Sequence, residues 1–207
     1  IHTPSHLNAR EAATLPCAAL TAWHALTQPR PVVAGETVLI LGTGGVSVFA
    51  QQFCAVMGAK TIATSSSDAK LERMRALGAG ETINYRTTPE WDDAVLELTD
   101  GKGVDRIVEV GGPGTLQKSI KAVRVGGTIG LIGVLTGGGG SVQPVDLMRK
   151  SITLRGIYVG PKSMFAEMNA AISAHALKPI IDSTFAFEAA RDAYHAMRGA
   201  GHFGKLV

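Results

Sequence analysis

Gly42-Thr43-Gly44-Gly45-Val46-Ser47 lies between a run of apolar β-formers, Thr37-Val38-Leu39-Ile40-Leu41, and an amphipathic segment beginning near Val46. Glycine at 42 permits a tight exit from a strand, and glycine at 44 lets backbone approach phosphate oxygens without a Cβ in the way. The helix start that follows offers unpaired N–H groups and a positive dipole end, so Gly42, Thr43, Gly44, Gly45 and Val46 form a candidate cradle for a pyrophosphate. Ser47 stands where the usual fingerprint has Gly or Ala. Roughly 20 residues further on, an NAD-specific site places Asp or Glu against the adenosine ribose hydroxyls. Here that place holds Ser65, Ser66 and Ser67, with Lys70 close behind. A carboxylate would repel a 2′-phosphate, whereas hydroxyls donate to it and Lys70 supplies countercharge; a charge-assisted bond of this kind contributes roughly 1.5 to 3 kcal/mol. NADP(H) is therefore expected ahead of NAD(H), with nearby Asp68 working against that preference.

Val110-Gly111-Gly112, Gly133-Val134 and Tyr158-Val159-Gly160 follow further apolar runs. Ligands on open parallel sheets lie at the carboxyl ends of strands, where small residues let backbone meet a flat ring. Val110, Gly111, Gly133, Val134, Tyr158 and Val159 are accordingly expected on the nicotinamide side. Two motif matches are set aside. Tyr158 and Lys162 have the spacing of a Tyr-x-x-x-Lys catalytic pair, but Gly160-Pro161 forbids the shared helix it needs. Gly199 to Lys205 fits Gly-x4-Gly-Lys, yet Leu206 replaces the magnesium-binding hydroxyl of a P-loop. The six histidines show no metal spacing with Cys17 or Cys54, and none is assigned a catalytic role.

The elements that must position these residues alternate regularly from Thr37 onward. Strands are expected at 37–41, 61–64, 82–84, 104–110, 128–132 and 152–158, and helices at 46–57, 68–77, 90–99 and 114–123. Val46, Phe49, Ala50, Phe53, Val56 and Met57 recur at three and four, the stripe that packs on a sheet. Helices between strands imply parallel crossovers, hence an α/β, Rossmann-type doubly wound parallel sheet. Before it, Asn8 with Glu11 reads as a capped helix start that Pro16 must bend. The glycine run 137–140 reads as a flexible loop. After Gly160-Pro161, helices at 164–176 and 187–198 and an extended 205–207 are expected to form a different layer.

With 207 residues, 45% hydrophobic and 18% charged, the chain can bury a substantial core. A net charge of +3 with scattered Lys and Arg suggests no nucleic-acid face. Apolar stretches are interrupted well short of a membrane span, and two cysteines make no disulfide scaffold, so a cytoplasmic setting is expected.

Several ordered segments carry a family resemblance: Leu15 to Trp23, Gly35 to Val46, Ala76-Leu77-Gly78-Ala79 with Ile83-Asn84-Tyr85-Arg86, and Gly204 to Val207. Together they resemble the medium-chain dehydrogenase/reductase superfamily, of the zinc-type alcohol dehydrogenase and quinone oxidoreductase kind. The resemblance implies a GroES-like catalytic domain preceding the nucleotide domain and mostly absent from this sequence. It divides the chain into 1–26 as a helical remnant of that domain, 27–160 as the dinucleotide-binding domain, and 161–207 as helices and a strand packing toward the catalytic domain. It further implies that Thr21 lies beside the nicotinamide and that Lys70 and Tyr85 surround the 2′-phosphate. Cys17 matches a zinc ligand of the zinc enzymes, but its co-ligands would lie upstream, and zinc is not expected here.

The expected function is an NAD(P)(H)-dependent oxidoreductase, NADP(H) preferred, moving hydride between nicotinamide and a carbonyl, alcohol, quinone or enone substrate. Similarity also suggests a homodimer through edge strands near Ile152 to Tyr158. Two alternatives differ in class: a non-catalytic dinucleotide-sensing module, and a Rossmann-type methyltransferase, which would normally carry an acid where Ser65 to Ser67 stand.

Overall fold

In the computed structural model, which describes residues 1–133 and 135–207, Thr37–Leu41 forms strand β1 and Gly45–Met57 the helix α3 that follows it. Val134, expected on the nicotinamide side, lies outside the described residues. Ahead of β1 come a short helix α1 (Ala9–Ala12), a π-helical turn (Leu15–Ala19) and α2 (Leu20–Thr27). After α3 the chain runs through β2 (Lys60–Ser65), α4 (Asp68–Ala76), β3 (Glu81–Asn84), α5 (Trp91–Leu98), β4 (Val104–Glu109), α6 (Pro113–Ala122) and β5 (Val123–Leu131). It continues as α7 (Pro144–Arg149), β6 (Thr153–Gly156), α8 (Lys162–Ala174), β7 (Ile181–Ser183), a 3₁₀ turn, α9 (Ala190–Arg198) and β8 (Lys205–Leu206).

Six strands make one sheet in the order β3-β2-β1-β4-β5-β6, every pairing parallel. The direction of winding reverses between β1 and β4, so a crevice opens at their carboxyl ends, where the glycine turn leaves β1. Both faces are covered, as a parallel sheet requires. The period of two along β1 sends Val38 and Ile40 to one side, with Phe49 and Phe53 of α3, and Leu39 and Leu41 to the other, with Ile107, Ile120 and Trp91.

The flanking segments join this core. Leu7, Leu15, Leu20, Leu26, Met164, Met168, Ile172 and Phe203 belong to the same apolar cluster as Val38 and Phe53. Tyr158, Phe187, Tyr194 and Met197 remain exposed. Asn8 and Glu11 make the expected reciprocal cap, at 3.0 and 2.8 Å, and the π-helical turn falls where Pro16 was expected to bend the chain. β7 and β8 pair in a separate two-stranded sheet, the different layer expected of the tail.

Several element bounds differ from expectation, and β7 falls where no strand is expected. β5 starts at Val123, because the chain enters the sheet directly from α6, and β6 is confined to the residues that pair with Thr128–Leu131. After the glycine run, Pro144 starts α7, a short helix whose six residues are too few to show a periodic signal.

Arg106, on β4, is 2% exposed, and its guanidinium donates to the carbonyls of Ala25 (2.7 Å), Gln28 (2.6 Å) and Arg30 (2.9 Å). It thus ties the segment after α2 to the sheet. Burial lowers its pKa to about 10, so the group still carries its charge at neutral pH. Arg106→Met is expected to cost about 1.5 to 3 kcal/mol, the range for hydrogen bonds to a charged group, read as a lower urea midpoint. An unchanged midpoint would mean that the three carbonyls pair equally well without it. Cys54 lies in the same interior, its thiol pushed up to about 12 by burial, while Cys17 is exposed.

Candidate functional site

Gly42 leaves β1 with φ +72, a left-handed conformation that favours glycine. Gly44, the residue preceding α3, has φ −79 and ψ −175, and no side chain caps the first turn of that helix. Its start therefore presents backbone N–H groups and the positive end of the dipole to the crevice. A Cβ at Gly44 would meet no protein atom within 4 Å, whereas one at Gly45 would lie 2.7 Å from Lys205 Cδ and 3.2 Å from Ala18 Cβ. Gly44 keeps the cradle open; Gly45 lets the two flanking segments close on the turn. Ser47, in the fingerprint's third position, is 1% exposed and donates from Oγ to the Leu41 carbonyl at 2.7 Å, so a hydroxyl there braces the turn.

At the end of β2, Ser65 is buried, and its Oγ and carbonyl accept from the Ser67 and Tyr85 amides at 3.3 and 3.0 Å. Ser67 is the N-cap of α4, which places Lys70 in that helix's first turn. The Lys70 ammonium donates to the Ala200 carbonyl at 2.9 Å and, among the described residues, pairs with no carboxylate. Asp68, the acid expected to oppose anion binding here, accepts from Asn84 Nδ2 at 2.8 Å.

Segment 199–205 runs past this end of the cleft as a strap. Gly204 donates to the Thr43 carbonyl at 3.0 Å and bridges to Gly44, and Arg73 holds the strap's neighbourhood through Asp182 (2.7 Å) and the face of Phe203 (4.1 Å).

The opposite wall is shaped by Glu109, the last residue of β4 and completely buried. Its carboxylate accepts from the amides of Gly111 (2.8 Å) and Gly112 (3.0 Å) and from Thr115 Oγ1 (2.6 Å) and Ser119 Oγ. Four donors fix the turn after β4. Gly133 passes so close that an added Cβ would fall 1.5 Å from the Val110 carbonyl oxygen. Only glycine fits, and the two strand ends are thereby held together.

These walls enclose a cleft of about 640 Å³, large enough to receive much of a dinucleotide. Of the expected residues it brings together Gly42, Thr43, Gly44, Gly45, Val46, Ser65, Ser66, Lys70, Tyr85, Val110 and Gly133. Thr21, Gly111, Tyr158 and Val159 do not line it. Thr21 is buried in α2, Tyr158 is almost fully exposed, and the Val159 carbonyl accepts from His24 Nδ1 at 2.8 Å. Sequence reasoning missed Ile132, Leu135, Met197, Ala200 and His202, which also line the cleft. The last three arrive on a return of the chain that no local pattern announces, although the Gly-x4-Gly-Lys match marked the same strap.

The zinc-binding dehydrogenase family matches residues 45–174, and the chain belongs to it, within the medium-chain dehydrogenase/reductase superfamily. A zinc-type alcohol dehydrogenase-like protein of Schizosaccharomyces pombe is 42% identical over 213 residues, covering 100% of this chain and 62% of the relative. The crystal structure of an NAD-dependent alcohol dehydrogenase superposes with a TM-score of 0.91 at 34% identity, covering 100% of this chain and 60% of that one. A 2-octenoyl-CoA carboxylase reductase solved with NADP and 2-octenoyl-CoA gives 0.89 at 26% identity, covering 100% and 51%. The chain spans about three-fifths of the length of the curated relatives it matches.

Zinc finds no fitting donor set among the described residues. Glu90, Asp92 and Asp93 form the one cluster of three candidate ligands, and Lys118 and Lys121 already engage all three, at 2.7 to 3.6 Å. Cys17 belongs to no such cluster. No helix among the described residues is long and apolar enough to cross a membrane.

Proposed function

We propose that the protein is an NADP(H)-preferring oxidoreductase that moves hydride between nicotinamide and a carbonyl, alcohol or enone substrate. One observation carries the reading: the uncapped start of α3 and Lys70, which pairs with no carboxylate among the described residues, face the same cleft, about where a dinucleotide carries its pyrophosphate and its ribose phosphate. The amides past Gly44 would hold the pyrophosphate, and Ser65, Ser66, Lys70 and Tyr85 the adenosine ribose with its 2′-phosphate. Val110 and Gly133 would bound the nicotinamide half. Bound nicotinamide would supply hydride to a carbonyl or enone, or accept it from an alcohol, while the chain's residues orient it and exclude water.

The similarity to an NAD-dependent alcohol dehydrogenase and to a 2-octenoyl-CoA carboxylase reductase solved with NADP supports dinucleotide chemistry of this kind. Their greater length supports assigning residues 1–26 and 161–207 to the face that meets a further, substrate-binding domain. A homodimer through the β6 edge is part of the same reading.

Saturating NADPH, at about 100 times Kd, is expected to add about 2.7 kcal/mol of stability and raise Tm by about 5 to 11 °C. An unmoved Tm with no saturable change in nicotinamide fluorescence would overturn the proposal.

A further inference from the structure

Positive charge collects at one end of the cleft around His202. Its Nδ1 is shielded from solvent and has no hydrogen-bond partner among the described residues. Burial pushes the imidazole below the usual histidine range, and Lys70 of α4 and Lys205 of β8 push it the same way. Asp182 of β7 acts in the opposite sense, but Arg73 already engages it at 2.7 Å, and the Arg73 guanidinium lies over Phe203, the residue next to His202. Lys70 and Lys205 thus both act on His202, while Asp182, which acts against them, is held by another cation. The cluster is short of an anion, and it opens on the cleft through Lys70 and His202.

We propose that His202 binds the 2′-phosphate of the dinucleotide together with Lys70, taking up a proton from solvent as the phosphate arrives. The inference rests on the reading of the cleft given under Proposed function. A phosphate monoester dianion offers the imidazole an acceptor and offsets the two lysines that, after burial, disfavour its charged form, so the charged ring becomes the favoured form in the complex. Proton uptake on binding requires affinity to rise as pH falls through the interval between the free and bound pKa values of His202. NADH, lacking that phosphate, leaves the ring neutral and its affinity flat over the same interval.

The test is a set of fluorescence titrations of the full-length protein with NADPH and NADH at pH 6 and pH 8.5, for wild type, His202→Gln and Lys70→Ala. An NMR titration of the wild-type imidazole with and without NADPH accompanies it. Since one pKa unit corresponds to a tenfold change, wild type should gain roughly three- to tenfold more NADPH affinity on acidification than His202→Gln, and the gain should vanish with NADH. The His202 resonance should titrate at higher pH in the NADPH complex, an effect that does not depend on how the variant folds. An imidazole pKa unmoved by NADPH, or a His202→Gln effect equal for both nucleotides, overturns the inference while a selective Lys70→Ala loss leaves the cleft reading standing. Wild type that binds neither nucleotide, or Lys70→Ala that weakens both alike, removes the cleft reading and the inference with it.

Discussion

Gly44→Val will give a folded protein that no longer retains NADPH. The backbone at Gly44 is extended, a conformation valine adopts freely, and its Cβ would meet no protein atom within 4 Å, so the fold has no steric reason to resist. Valine is a poorer N-cap than glycine, which sets the cost at about 1 kcal/mol or less and a Tm change of about 2 to 4 °C. On the proposed reading, the same isopropyl group would occupy the space through which phosphate oxygens reach the first amides of α3. Losing those contacts should weaken NADPH and NADH alike by more than about 100-fold, or about 2.7 kcal/mol, because the pyrophosphate is common to both. Calorimetric titration beside a thermal melt separates the two effects. A Gly44→Val protein that binds like wild type would place the pyrophosphate elsewhere.

Lys70→Ala should divide the two cofactors. The ammonium is held by a neutral carbonyl, that of Ala200, and not by an acid, so its charge is available to a ligand. Removing it should cost NADPH about 1.5 to 3 kcal/mol, roughly 10- to 100-fold, with NADH changed less than about twofold. Lys70→Arg should keep most of the affinity, since it retains the charge. Losses equal for both nucleotides would show that Lys70 does not read the 2′-phosphate.

Much of the frame that carries these residues is written in local pattern. β1 is an unbroken run of β-formers, and α3 shows its packing stripe as Phe49, Ala50 and Phe53, all buried, flanked by half-buried Val46, Val56 and Met57. Each of these depends on neighbours within one or two turns, so periodicity exposes it. Ser65, Ser66 and Lys70 could be found for the same reason: their place follows from counting forward along a strand–helix–strand unit. Other parts depend on distant pieces of chain meeting. Glu109 looks like any strand-end acid until four donors close on it, and Arg106 like any scattered cation until three carbonyls from another segment surround it. Met197, Ala200 and His202 reach the cleft only because β8 pairs with β7 and the strap then bridges to the glycine turn, more than 150 residues earlier in the chain. Three-residue β7 gives no periodic signal at all.

That return has a consequence for how the protein comes into being. A ribosome delivers the glycine turn early and the strap late, so a nascent polypeptide stalled before Gly199 could already have assembled β1 and α3 while still lacking one wall of the pocket. On the proposed reading of the cleft, nucleotide capture would await the emergence of the strap from the exit tunnel.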